Sequence, residues 1–112
     1  MSFSIQYMPM EPRVEILPEK ILIGRKSLMS FAENKTRELW QSFMPRRREI
    51  GNAVNIYLYS VEQYDPNFFD AFNPAAEFIK WAAVEVSDAD HVPDHMEVLV
   101  LPGGLYAVFI HR

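Results

Sequence analysis

Five aromatic residues with polar edges, Trp40, Tyr57, Tyr59, Trp81 and Tyr106, are the side chains best suited to binding chemistry. Tyr and Trp combine apolar area with a hydrogen-bonding group, the mix that lines small-molecule pockets. Their ring faces also attract planar cations. Tyr57 and Tyr59 are two apart, so on a strand they share a face; Trp81 and Glu85 do the same by their even spacing. If both faces look into one groove, Glu85 meets a cationic ligand there. The competing reading is a surface glutamate beside a core tryptophan. Trp40, on the apolar stripe of a helix, competes in the same way with a plain core role.

Other constellations are weaker. His91 and His95 lie among Asp88, Asp90 and Asp94. Histidine pairs four apart bind zinc from one face of a helix. Pro93 sits between them and disfavours a regular helix, so no metal site is assigned. The same segment lacks the glycine and closing glutamate of a calcium loop. Gly103-Gly104 is followed by no Lys-Ser/Thr pair and no helix start, so it reads as a bulge or bend in a strand rather than a phosphate loop. Arg46, Arg47 and Arg48 read as a solvated helix end, with contact to an acidic partner or nucleic acid as the alternative. No cysteine is present to act as a nucleophile or form a disulfide. A Ser-His-Asp set is recognised by geometry and not by sequence, so no catalytic residue is named.

The elements that must position these residues follow from periodicity. Met1 to Pro12 reads as a polar arm. Val14, Ile16 and Ile21 to Ile23 read as one strand bent at Pro18 and closed at Gly24, since proline is excluded from central ladder positions. Ser30 followed by Glu33 has the spacing of a capping box. Ala32, Thr36, Leu39, Trp40, Phe43 and Met44 then recur on one helical face until Pro45. Asn55 to Glu62 and Glu77 to Ser87 read as strands. Between them, Gln63 to Ala76 is a loop whose Tyr64, Phe68, Phe69 and Phe72 should fold back on the body. Ser87 to Met96 is a polar loop, and Glu97 to Arg112 a final strand interrupted at Pro102-Gly103-Gly104. One helix against a mostly antiparallel sheet is an α+β fold.

Composition bounds the function. A chain of 112 residues with 49% hydrophobic residues fits one folded domain. Its net charge of −4 argues against direct nucleic-acid binding, which runs on Lys and Arg neutralising phosphates. Basic residues crowd between Arg13 and Arg48, whereas Trp81 to His111 holds five acids and no Lys or Arg. That asymmetry favours a cationic ligand or is simply a solvated acidic loop. No apolar run reaches the ~20 residues of a membrane span. No signal peptide is visible at the N-terminus. The expectation is a cytoplasmic protein with no membrane partner and no cofactor.

Val14-Glu15-Ile16-Leu17-Pro18 resembles Val98-Leu99-Val100-Leu101-Pro102, and an apolar run follows each after two residues. Such a repeat implies a strand–helix–strand–strand module followed by the first strand of a second one. Leu101 to Phe109, Glu38-Leu39-Trp40 with Phe43-Met44, and Trp81 to Val86 also resemble, in order and spacing, segments of the GyrI-like small-molecule-binding proteins. These share the effector-binding fold of AraC-type regulators. The resemblance runs from Pro12 onward. It implies two modules in tandem with a ligand groove between them, and a role in transcriptional regulation or in multidrug or toxin sequestration. It also implies a partial domain, residues 13–112 behind an arm of residues 1–12, standing alone and lacking most of the second module. The acid that binds ligand in the family falls in that part and maps onto no residue here. An open sheet edge would then invite a homodimer. Two other functions fit the resemblance: a hydrolase of reactive small molecules, with a carboxylate as general base, and a gyrase-inhibitor-like module that binds protein.

Overall fold

The computed structural model describes residues 2–7, 12–55, 57–64, 70, 73–102 and 104–110, with side chains described for residues 18–55, 57–64, 70 and 73–102. Its elements run β1 (Ser2–Tyr7), β2 (Pro12–Leu17), β3 (Lys20–Ser30), α1 (Thr36–Phe43), a 3-10 helix (Met44–Glu49), β4 (Tyr59–Tyr64), β5 (Glu77–Val86), β6 (Glu97–Leu101) and β7 (Gly104–Ile110). The fold is α+β: among the described residues, one α-helix on a seven-stranded sheet of order β2-β7-β1-β4-β5-β3-β6. All pairings are antiparallel except β1 with β7.

The two Leu-Pro sequences set the frame. Proline cannot donate to a ladder, so the chain breaks at Pro18 and at Pro102, dividing β2 from β3 and β6 from β7. Both breaks fall at the same level of one antiparallel ribbon. Leu17 stands opposite Gly104, Lys20 stands opposite Leu101, and the register is unchanged from one ladder to the other. The repeat is therefore a structural one: its two copies face each other across the kinks.

Three expectations are corrected. Gly24 does not close the first strand; β3 runs on to Ser30 with β5 along its whole length and β6 beside its first half. Gly24 is needed there because a Cβ would lie 2.0 Å from the Ala82 carbonyl oxygen. Ser30 and Glu33 do not cap the helix. The Ser30 hydroxyl accepts from the Glu33 amide at 3.0 Å in a turn, and α1 starts at Thr36, whose amide donates to Asn34 Oδ1. Residues 2–7 of the expected arm form β1, hydrogen-bonded to β4 with Ile5 opposite Val61. Pro45 ends the α-helix but opens the 3-10 helix, a position where proline's missing N–H costs nothing. Phe68, Phe69 and Phe72 lie outside the described residues.

Side chains alternate across the sheet and build two apolar layers. On the helix side, Leu39 and Phe43 of α1, one turn apart, pack on Ile23, Met29, Phe78, Ala82, Val84 and Val86. Trp40, half-buried, edges that layer, its ring set edge-on against Phe43. On the other side Leu22, Tyr59, Val61, Trp81, Ala83, Leu99 and Leu101 form a second layer. Full burial of a side chain of this size stabilises by about 1.5–3 kcal/mol, so both faces contribute to the fold.

Candidate ligand-binding site

The sheet brings four of the six expected ligand residues together on one face. Tyr59 of β4 and Trp81 of β5 are core members of the layer opposite the helix, and Tyr57 packs against it half-buried. Glu85, two residues beyond Ala83, lies at one end of that face. Its Oε1 accepts from the Tyr59 hydroxyl at 3.0 Å, from Lys20 Nζ at 3.1 Å and from Asn55 Nδ2 at 3.4 Å. Trp40 is on the helix side and does not join them. Tyr106 lies in β7 opposite Glu15, and its side chain is outside the described residues.

Exposure separates walls from contact surfaces. Tyr59 and Trp81 are 2% and 4% exposed, so their rings are wall. At the far end of the face, Trp81 Nε1 donates to Gln63 Oε1 at 3.2 Å, and Lys26 Nζ stands 5.6 Å from the centre of the Trp81 ring. Lys26 also pairs with Glu97 at 3.3 Å. Both the carboxylate and the indole thus already face a lysine of the chain. A cationic ligand at Glu85 meets an acceptor paired with Lys20.

The open space lies beside this cluster. A cavity of about 270 Å³ is lined by Arg47, Arg48, Ala53, Asn55, Leu58 and Val84. The 3-10 helix supplies the two arginines, the segment leading to β4 supplies Ala53, Asn55 and Leu58, and β5 supplies Val84. Val84 and Leu58 belong to the helix-side layer, so the floor is apolar. Asn55 joins cavity and cluster. Its Oδ1 accepts from the Tyr57 amide at 3.0 Å while Nδ2 donates toward Glu85 and the Tyr59 hydroxyl.

Local structure fixes the arginines. Arg46 turns away from the cavity: it makes two hydrogen bonds to the Glu49 carboxylate and donates to the Asp94 carbonyl at 2.6 Å, tying the 3-10 helix to the loop before β6. The Arg46 hydrogen bonds and charge hold the Glu49 carboxyl below its usual value. Arg47 contacts Met44 Sδ at 3.6 Å. Among the described residues neither Arg47 nor Arg48 has a carboxylate partner.

A second ionic group lies on the helix side of β4 and β5. Glu62 and Lys80, directly paired across the strands, are 3.4 Å apart, and the Tyr64 hydroxyl donates to Glu62. Burial raises the Tyr64 phenol above its ordinary value, and the hydrogen bond to Glu62 and that residue's charge raise it further. His91 and His95 sit in the loop before β6, with His95 at φ 64°. Among the described residues no group of three or more His, Cys, Asp or Glu is placed to hold a metal ion.

Sequence reasoning missed Lys20, Asn55, Leu58 and Val84. Nothing marks them locally, because each matters through a partner far along the chain. The arginine run was visible, but its place beside β5 was not.

No helix among the described residues is long and apolar enough to cross a membrane. No curated protein matches the chain in a sequence search. The model of the GyrI-like small molecule binding domain matches residues 10–112. With that match spanning both kinked strands, the helix and the sheet around the cavity, the chain belongs to the GyrI-like small-molecule-binding family.

Proposed function

We propose that the chain works as a reversible small-molecule receptor, taking its ligand in the cavity between the 3-10 helix and β5. The observation that carries this is the cavity itself: an apolar floor of Ala53, Leu58 and Val84 beneath a polar rim. Ligand pockets have that make-up, and this one, at about 270 Å³, lies just below their usual ~300–1,000 Å³. One or two fused rings fit. Asn55 lines the cavity and is itself held by Tyr57, Tyr59 and Glu85, so the aromatic cluster on the opposite face supports the site through that one residue. Trp81 stiffens the same face further along, and Trp40 buttresses the helix side.

The roles expected of such a receptor are effector sensing in transcriptional regulation and sequestration of drugs or toxins, in the cytoplasm. Both need binding without turnover. The test is calorimetric titration with small bicyclic aromatics, against wild type and Ala53→Trp. Ala53 is exposed, so an indole there can occupy the cavity over Leu58 and Val84 without replacing a core side chain. Saturable binding that Ala53→Trp abolishes supports the reading; binding untouched by Ala53→Trp refutes it.

A homodimer through the sheet edge is a second proposal. β6 is an outer strand, and its Val98 and Val100 are 37% and 51% exposed. Exposed apolar edges invite strand pairing between copies.

A further inference from the structure

We infer that the cavity selects ligands carrying an anionic group, a carboxylate or its equivalent, on a flat apolar body. The inference rests on the receptor reading above and names the chemistry of the same site.

Three observations carry it. First, the charge at the rim is one-signed. Arg47 and Arg48 line the cavity, and no carboxylate is among its described lining residues. Second, among the described residues neither guanidinium is paired with an acid. The acid of their own helix, Glu49, is held by Arg46 through two hydrogen bonds, and Arg46 is oriented by the Asp94 carbonyl. Arg46 thus takes up the local negative charge and leaves its two neighbours free to meet a ligand. Third, the carboxylate bonded to Asn55, that of Glu85, is paired with Lys20 at 3.1 Å, which offsets its repulsion of an anion in the cavity.

Guanidinium offers a planar fork of N–H donors that matches a carboxylate, and such charge-assisted bonds are roughly twice as strong as neutral ones. The apolar floor takes the rest of the molecule. The even-handed Asn55 amide, engaged on both its oxygen and its nitrogen, adds shape rather than charge.

The test uses three probes that share one body: 2-naphthoate, 2-naphthylmethanol and 2-naphthylmethylammonium. Each is titrated calorimetrically into the full chain, into Arg47→Gln/Arg48→Gln and into Ala53→Trp. Near-UV circular dichroism checks that the variants are folded; both arginines are exposed, so their loss leaves the core intact. The expected result is that 2-naphthoate binds about tenfold tighter than the alcohol, with the ammonium weakest. The double Gln variant should erase that preference, and raised salt should narrow it. Equal binding of naphthoate and alcohol, both lost in Ala53→Trp, overturns the anion inference while the receptor reading stands. Tightest binding of the ammonium overturns the anion inference in the same way. No binding of any probe to the folded wild-type chain overturns both.

Discussion

Lys20→Met should destabilise the protein by about 2 kcal/mol, and Glu85→Gln should rescue most of that loss. Lys20 Nζ and Glu85 Oε1 are 3.1 Å apart, with side chains 15% and 18% exposed. At that distance an effective dielectric of ~20 gives about 5 kcal/mol of attraction before desolvation is counted. Desolvation of the two ions cancels much of it. Removing Lys20 alone leaves Glu85 desolvated, with the Tyr59 hydroxyl and Asn55 as its remaining partners among the described residues. A fully buried pair broken in this way costs about 3–5 kcal/mol, and residual solvent contact lowers the figure here. For a domain this size the loss corresponds to roughly 8 °C in Tm. Glu85→Gln keeps an acceptor for Tyr59 and removes the charge. In a urea-denaturation cycle of wild type, both single variants and the double variant, the coupling should therefore exceed about 1 kcal/mol. Additivity within about 0.5 kcal/mol would refute the claim that Lys20 is what satisfies Glu85. A functional corollary travels with it. Lys20→Met frees Glu85, so a cationic dye such as a rhodamine should bind that variant more tightly than wild type.

Three further outcomes are expected. Gly24→Ala puts a Cβ 2.0 Å from the Ala82 carbonyl oxygen, so it should cost about 3 kcal/mol or more, at the upper end for overpacking, as read by urea midpoint. Tyr64 titrates higher in the fold than in the unfolded chain. Its contribution is therefore complete below the unfolded phenol value of about 10 and is lost as pH rises beyond it. Stability measured from pH 8 to 11 should fall more steeply for wild type than for Tyr64→Phe, and parallel curves would contradict the assignment. Light scattering on a sizing column should give a dimer for wild type and a monomer for Val98→Lys/Val100→Lys, if β6 is the pairing edge.

How far the sequence foretells this molecule depends on whether the signal is local. The Leu-Pro repeat was legible because proline leaves the same mark wherever it interrupts a strand, and the two marks meet in one ribbon. The shared faces of Tyr57 with Tyr59 and of Trp81 with Glu85 followed from alternation alone, as did Leu39 and Phe43 on one helical face. β1 left a signal that went unread: Phe3, Ile5 and Tyr7 alternate with polar residues, yet the surrounding prolines suggested an arm. Ser30 and Glu33 misled because a serine that accepts from the amide three residues on makes the same local bond in a turn as at a helix start. The cavity was beyond reach. It exists because the 3-10 helix and the approach to β4 both come to rest beside Val84, and no spacing in the chain encodes that meeting.

The claim that a small molecule binds between the 3-10 helix and β5 is tested most directly by mapping a titration onto the backbone. Amide NMR spectra recorded while 2-naphthoate is added should show shifts gathered at Arg47, Arg48, Ala53, Asn55, Leu58 and Val84, with Asn55 relaying smaller changes to Tyr57 and Tyr59. Shifts gathered elsewhere, around Trp81 and Lys26 for instance, or none at saturating probe, would contradict it.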